Sequence, residues 1–225
     1  MQAHLEKYAE GEMILIDKSY QWTSFDVIKK IRNTIGIKKV GHAGTLDPLA
    51  TGLLIICTGK MTKRIQEFQD MPKEYRGAFF LGATRPSFDK ETPIGETSNI
   101  QDITQEAILQ AAGSFAGEID QVPPVYSAIR KEGKRSYEFA REGREIELES
   151  RKVRIFKFEI TRIDLPLVDF ILVCSKGFYV RSLARDFGWK LGCGAYLDEL
   201  RRTAIGEHRV DSAMTIDEFV SSVKT

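Results

Sequence analysis

The alternation of apolar and polar residues predicts the secondary structure along most of the chain. Apolar runs typical of buried strands lie at 13–16, 53–57, 75–81 and 168–174. Apolar residues at helical spacing predict helices near 24–34, 61–69, 104–112 and 179–191. Strands and helices do not alternate regularly, so the pattern favours an α+β fold over a doubly wound sheet.

The helix near 24–34 carries the clearest boundary signals. Ser24 is predicted to cap it, and Gly36 marks its end. Phe25, Ile28 and Ile31 recur at helical spacing, so we expect them to face the core. The basic residues of this segment then occupy the opposite face of the helix.

Three further segments have interpretable patterns. Residues 151–163 alternate as a strand whose apolar parity changes once after Ile155, which indicates a bulge. Residues 117–135 are rich in Gly, Pro and basic side chains and predict a surface excursion, with a short helix after Ser136. Residues 215–218 form a capping-box pattern that predicts a closing helix.

Composition describes an ordinary globular protein of one large or two small domains. The chain has 225 residues, of which 42% are hydrophobic and 29% charged, and its net charge is +1. Such a balance does not by itself indicate a nucleic-acid binder. Local basic clusters lie at 29–39, 130–135 and 151–154. Such clusters neutralise phosphates in some proteins, although a solvated mixed-charge face is the commoner role of any one cluster.

The cysteine pattern indicates neither a metal site nor disulfides. Cys57, Cys174 and Cys193 are far apart, and no Cys or His spacing suggests zinc. The sequence shows no apolar signal region and no run long enough to span a membrane. We therefore expect a cytoplasmic protein.

The glycine-rich run at 41–54 is the most informative segment for function. It displays Asp47 from a loop in which Pro48 favours an extended conformation for the preceding residue. The apolar strand at 53–57 anchors this loop in the core. An Asp before Pro is also a common turn residue, so local composition leaves a structural role open.

The same run resembles the catalytic-aspartate motif of the bacterial TruB family, the tRNA pseudouridine-55 synthases. Further segments that resemble motifs of this family follow in the expected order, at 73–77, 121–129, 133–143, 175–184 and 200–203. Two segments depart from the family pattern. The early block, usually Lys-Pro-x-Gly-x-Thr-Ser, has Ser19 and Gln21 in place of Pro and Gly. The loop after Thr84, which usually carries a Thr-Asp-Thr-like stretch, reads Arg85-Pro86-Ser87-Phe88-Asp89.

The resemblance implies the pseudouridine synthase fold, a mixed and mostly antiparallel central sheet flanked by helices and loops. It implies a single catalytic domain over 1–225, an RNA-embracing insertion at about 117–150 and no C-terminal PUA domain. The family needs no cofactor and no metal. The expected partner is the T stem-loop of tRNA, and we expect a monomer without membrane attachment.

The resemblance also assigns the catalytic roles. Asp47 carries over as the nucleophile that splits the isomerisation into steps through a covalent intermediate. Arg181 carries over as the ion-pair partner of that carboxylate, and Tyr75 as the aromatic ring that stacks on the target base. From local sequence alone, a structural salt bridge and a core tyrosine are the alternatives. Whether the carboxylate attacks the base or the sugar stays open.

Supporting roles follow in the same way. Leu200 carries over as an apolar wall of the pocket, Lys18 as a support of the site, and His42 as the residue that enters the RNA loop and replaces lost stacking. Candidate RNA-binding residues are Lys29, Lys30, Arg32, Lys38, Lys39, Arg130, Lys134, Arg135, Arg141 and Arg154. The same chemistry on another RNA, or a non-catalytic RNA-binding protein on this scaffold, are the alternative functions.

Overall fold

The computed structural model describes residues 2–127, 130–131, 134–136, 139, 146 and 148–224. Its α-helices are α1 Gln2–Glu10, α2 Ser24–Ile35, α3 Ile65–Asp70, α4 Gln105–Gly113, α5 Val180–Leu191 and α6 Ile216–Lys224. Short 3-10 helices occupy Gly59–Arg64 and Val210–Ser212. None of the helices in the described part of the chain is long and apolar enough to cross a membrane.

The strands confirm the α+β fold class. They are β1 Met13–Lys18, β2 Val40–His42, β3 Thr51–Thr58, β4 Lys73–Leu81, β5 Gly117–Gln121, β6 Arg130–Lys131, β7 Lys134–Arg135, β8 Arg151–Asp164, β9 Leu167–Cys174, β10 Ala195–Ile205 and β11 His208–Arg209. The described residues form two compact units, Met1–Arg76 with Leu200–Thr225, and Gly77–Glu199.

In the first unit, β3 is the central strand and is buried on both faces. It pairs antiparallel with β1 and β2, and parallel with the end of β10. Leu54 and Ile56 face a core built with α2 and α6, whereas Leu53 and Ile55 face a second cluster around Phe68. This continuous apolar strand is the predicted run at 53–57.

In the second unit, strands β5, β8 and β9, the part of β4 after Arg76 and the part of β10 before Leu200 lie side by side in the order β5, β8, β9, β4, β10. The predicted bulge in β8 is confirmed, because the pairing register with β9 shifts between Ile155 and Lys157. A cluster of aromatic rings fills the core, and Phe79 lies 4.3 Å from Phe170 and 5.4 Å from Phe187 between ring centroids.

The start of α2 differs from the sequence prediction. The cap is Thr23, which forms a reciprocal capping box with Asp26, while Gly36 ends the helix in the left-handed conformation as predicted. Ser24 instead lies buried inside the first turn and bonds to another segment. Phe25 was predicted to face the core but is 62% exposed, because Val27 takes the inward position beside Ile28 and Ile31.

The prediction of a surface excursion at 117–135 is wrong for its first part, because Gly117–Gln121 is a strand of the main sheet paired antiparallel with β8. Arg130–Lys131 pairs with Lys134–Arg135 in a separate two-stranded sheet. The helix predicted after Ser136 falls mostly outside the described residues. Phe156, predicted to share the inward parity of Phe158, is 54% exposed because it lies at the bulge.

The turn after β1 keeps a glycine-type conformation without glycine. Gln21, at the position where the family pattern has Gly, has φ of 65°. Its backbone N–H donates to the carbonyl of Pro48 at 2.8 Å, so the turn contacts the Asp47 loop. A side chain in this conformation costs about 1–2 kcal/mol relative to glycine.

We predict that Gln21→Gly raises the free energy of unfolding by about 0.5–1 kcal/mol, because relief of the strain exceeds the greater entropy of an unfolded glycine. Urea denaturation measures the change. Gln21→Ala is the matched control, since alanine keeps the strain and gives no such gain. A glycine variant no more stable than the alanine variant contradicts the prediction.

Candidate active site

The loop that carries Asp47 runs between β2 and β3 and is tied to the core through its backbone. The N–H of Ala43 donates to the carbonyl of Ile55 at 2.9 Å. The hydroxyl of Ser24 accepts from the N–H of Leu46 at 2.9 Å and donates to its carbonyl at 3.1 Å. Asp47 follows Leu46 directly and is half-buried. Its position is therefore fixed by contacts on the loop that bears it.

Lys18, at the end of β1, contacts this loop through its ammonium group. Its ammonium is buried and donates to the carbonyls of Trp22 at 2.6 Å, Ser19 at 3.1 Å and Pro48 at 3.4 Å. Burial lowers its pKa from the ordinary 10.5 to about 8, against the opposing effect of the Asp47 charge. The ammonium thus joins the turn after β1 to the residue that follows Asp47.

Arg202 on β10 is a second buried cation beside the same loop. Its side chain is 1% exposed. Its Nε donates to the carbonyl of Leu53 at 2.7 Å, its Nη2 to that of Gly44 at 3.1 Å, and its Nη1 to that of Thr45 at 3.5 Å. One planar guanidinium therefore holds the loop and the strand that follows it.

Gly52 permits the close pairing of β3 and β10 that brings Arg202 to the loop. It has φ of 101°, and a Cβ there would lie 2.3 Å from the carbonyl oxygen of Arg202. A side chain at this position would force the two strands apart. Gly52 is therefore needed for the close approach of the two strands as well as for its positive φ.

The other predicted site residues of the first unit lie on its strands. Tyr75 is buried on β4, and Leu200 is half-buried on β10. His42 is the last residue of β2 and half-buried. Burial lowers the pKa of His42, and the nearby charge of Arg202 lowers it further.

Arg181 belongs to the second unit, in the first turn of α5, and is buried. Its Nη1 donates to the carbonyl of Ser87 at 3.3 Å, and its Nε lies 3.6 Å from Oδ2 of Asp89 as an ion pair without a hydrogen bond. The other oxygen of Asp89 accepts from the Ser87 hydroxyl at 2.6 Å and from the N–H of Glu91 at 2.9 Å. A pairing of Arg181 with Asp47 stays a prediction.

Comparison with known families decides the assignment. The model of the TruB family pseudouridylate synthase N-terminal domain matches residues 32–180. The model of the tRNA pseudouridylate synthase B C-terminal domain matches residues 181–225. The chain belongs to the TruB family of pseudouridylate synthases. It is therefore an RNA-modifying isomerase.

Relatives of this TruB-family chain match it along nearly its whole length. A tRNA pseudouridine synthase B of Flavobacterium johnsoniae is 52% identical over 97% of this chain and 99% of its own. One of Phocaeicola vulgatus is 48% identical over 94% of this chain and 93% of its own. The length of the family relatives therefore agrees with the length of this chain.

Solved structures support the pseudouridine synthase fold. A crystal structure of a Cbf5–Nop10–Gar1 complex matches 98% of this chain with a TM-score of 0.74 and 27% identity. An archaeal box H/ACA sRNP Nop10–Cbf5 complex matches 99% with a TM-score of 0.71 and 26% identity. The TruB-family chain spans about half the length of these matched chains, 55% in each case.

The basic residues predicted to bind RNA differ in their surroundings. Lys29 and Lys30 are exposed on α2, and Lys38, Lys39 and Arg154 are exposed as well. Arg32 is half-buried and donates to the carbonyl of Val40 at 2.8 Å, which gives it a structural contact. Arg130, Lys134 and Arg135 lie in strands β6 and β7. Arg141 lies outside the described residues.

Two residues of the site were missed from the sequence. Arg202 lies in the 200–203 motif, from which only Leu200 was chosen. The available signal was the strand alternation, which places Arg202 on the same face of β10 as the apolar Leu200 and Ala204. That face is turned toward the interior of the protein. Asp89 lies in the loop that departs from the family pattern, and nothing in its local sequence indicates a buried partner of Arg181.

The pKa of Lys18 predicts a pH dependence of stability. Between about pH 8 and pH 10.5 the unfolded chain binds more protons at this position than the folded protein does. The contribution of Lys18 to the free energy of unfolding therefore increases as the pH rises through this interval, by at most about 3 kcal/mol.

Urea denaturation of the wild type and of Lys18→Met at a series of pH values isolates this effect from other titrating groups. The stability of the wild type relative to the variant is expected to rise across the interval. A relative stability that is flat or falls with pH contradicts the inference that burial dominates at Lys18.

Proposed function

We propose that this TruB-family chain converts uridine at position 55, in the T loop of tRNA, to pseudouridine, with Asp47 as the nucleophile. The observation that carries the proposal is the carboxylate of Asp47 on a glycine-rich loop whose carbonyls are held by buried Lys18 and Arg202. Such anchoring fixes a reacting group before the substrate binds. A turn residue without chemistry has no need of two buried cations.

The reaction balances within the nucleoside. The N1–C1′ bond breaks, the base turns, and a C5–C1′ bond forms, while C5 releases its hydrogen and N1 gains a proton. A transient bond from the carboxylate of Asp47 divides this rearrangement into two easier stages. Attack on the base and attack on the sugar both satisfy this balance.

The remaining side chains supply the surroundings of that carboxylate. Tyr75 stacks on the target base and Leu200 forms an apolar wall against it. Arg181 supplies a positive charge for Asp47, and Asp89 orients the guanidinium, since its own carboxylate is held by Ser87 and Glu91. A guanidinium suits this role because it remains charged and donates hydrogen bonds to two partners at once.

The target uridine must leave the stack of RNA bases to reach Asp47. Such flipping costs a few kcal/mol. In this proposal His42 enters the RNA loop, and the exposed lysines on α2 and before β2 neutralise phosphates of the T arm. The protein acts as a monomeric single catalytic domain, and it works in the cytoplasm, where its tRNA substrate is found.

The alternative substrate is another RNA. One structural neighbour is described as an H/ACA RNP bound to a substrate RNA containing 2′-deoxyuridine. The relatives that match this chain from end to end are tRNA pseudouridine synthases. Their coverage favours tRNA, and the experiment below includes ribosomal RNA as the competing substrate.

The test is tritium release from tRNA transcripts and, in parallel, from ribosomal RNA, both labelled at C5 of uridine. We predict release by the wild type and a loss of more than about a thousandfold in kcat for Asp47→Ala, because the nucleophile is absent. Asp102→Ala is the matched control, since Asp102 is an exposed acid far along the chain from the motif. Its rate is expected to equal that of the wild type.

Three outcomes would contradict the proposal, each in a different way. Release by Asp47→Ala at the wild-type rate shows that Asp47 is not the nucleophile. Release from ribosomal RNA but not from tRNA transfers the same chemistry to another substrate. No release from any RNA by the wild type, with binding intact, identifies a non-catalytic RNA-binding protein.

A further inference from the structure

The second unit contains a cavity of about 310 Å³ that the proposed reaction does not use. Phe88 and Trp189 line it together with two arginines, Arg85 and Arg185, and one acid, Glu96. Trp189 is 64% exposed, an unusual position for the largest apolar side chain. An exposed indole at the edge of a cavity indicates a surface available for stacking.

The indole has a guanidinium against its ring. The guanidinium of Arg185 lies 4.6 Å from the ring centroid of Trp189 and 5.1 Å from that of Phe88. The same guanidinium is fixed in turn, since its Nε donates to Asp186 at 2.7 Å and its Nη2 to the carbonyl of Val122 at 3.3 Å. Ordering of the indole before binding lowers the entropic cost of a ligand that stacks on it.

The charges around the cavity favour a base over a phosphate. Asp186 neutralises Arg185, and Glu96, an exposed acid among the residues that line the cavity, adds a negative charge beside it. The remaining cation, Arg85, stacks on Tyr196 at 4.5 Å and donates to the carbonyl of Thr92. A carboxylate repels phosphate but accepts hydrogen bonds from the N–H groups on the edge of a nucleobase.

The cavity is connected to Arg181 through two elements of the second unit. Arg181, Arg185 and Trp189 succeed one another at four-residue steps, so they share one face of α5. On the loop that lines the cavity, Phe88 precedes Asp89, the ion-pair partner of Arg181. The stripe on α5 therefore runs from Arg181 to an exposed aromatic platform.

We propose that this cavity binds an unpaired nucleobase of the RNA substrate, which stacks on Trp189 and hydrogen-bonds to Glu96. The inference rests on the proposed function, because that function supplies an RNA. It adds a binding site for a second base, distinct from the uridine that reacts. Stacking of a base on an aromatic ring is tolerant of sequence and strengthens binding without chemistry.

The chain has two tryptophans, so a Trp22→Phe background makes Trp189 the only one. We predict that addition of tRNA quenches the Trp189 emission in this background. We further predict that Trp189→Ala raises KM for tRNA about fivefold or more with kcat unchanged, because only stacking is lost. Trp189→Phe, which keeps an aromatic face, is expected to restore most of the KM.

Phe156→Ala is the matched control, because Phe156 is also an exposed aromatic residue of the second unit but lies on β8. Its KM is expected to be that of the wild type. Unchanged emission on addition of tRNA, together with an unchanged KM for Trp189→Ala, overturns the proposal. So does quenching by free GMP or AMP without quenching by tRNA, which identifies a site for a free nucleotide.

Failure of the proposed function gives a different pattern. In that case the wild type releases no tritium from tRNA, whereas the fluorescence titration still reports whether a base stacks on Trp189. The two experiments therefore separate the reaction from the binding site.

Discussion

The structure depends on how the carbonyl groups of an irregular, partly buried loop find hydrogen-bond donors. Residues 43–50 form neither helix nor strand, so their backbone has no ladder of its own. Lys18 and Arg202, both 1% exposed, donate to carbonyls of this loop and of its flanking segments. Without these donors, the buried carbonyls would each cost about 1–3 kcal/mol.

The two cations differ in what they contribute. The planar guanidinium of Arg202 spans Leu53 and Gly44 at once, whereas the ammonium of Lys18 gathers three carbonyls around one point. Burial of Lys18 is unfavourable, and the negative charge of Asp47 offsets part of that cost. The carboxylate and its support therefore stabilise each other before any RNA arrives.

Sequence reasoning succeeded where local pattern decides the structure. The end of α2 at Gly36, the bulge after Ile155 and the capping box at Thr215 all follow from neighbours in the chain. The family motif also pointed to Asp47 and Lys18, and their roles in the reaction stay predictions. The exact cap of α2 was missed because Thr23 and Ser24 are both good caps. The choice between them depends on Leu46, a partner 22 residues away.

Distant partners also explain the other misses. Arg202 and Asp89 are charged residues, a class that is mostly exposed, and each is buried here against a partner that lies far along the chain. At Gln21, a distant contact has a different effect. The turn keeps the positive φ of the expected glycine because the N–H of Gln21 is bonded to the Asp47 loop.

Amide hydrogen exchange in the RNA-free protein tests the anchoring of the loop most directly. The amides of Ala43, Leu46 and Ala50 donate to partners inside the protein, so they are expected to exchange as slowly as those of β3. Arg202→Met is expected to accelerate exchange in the loop more than in β1. Exchange of the wild-type loop amides at the rate of an unstructured peptide would contradict the account.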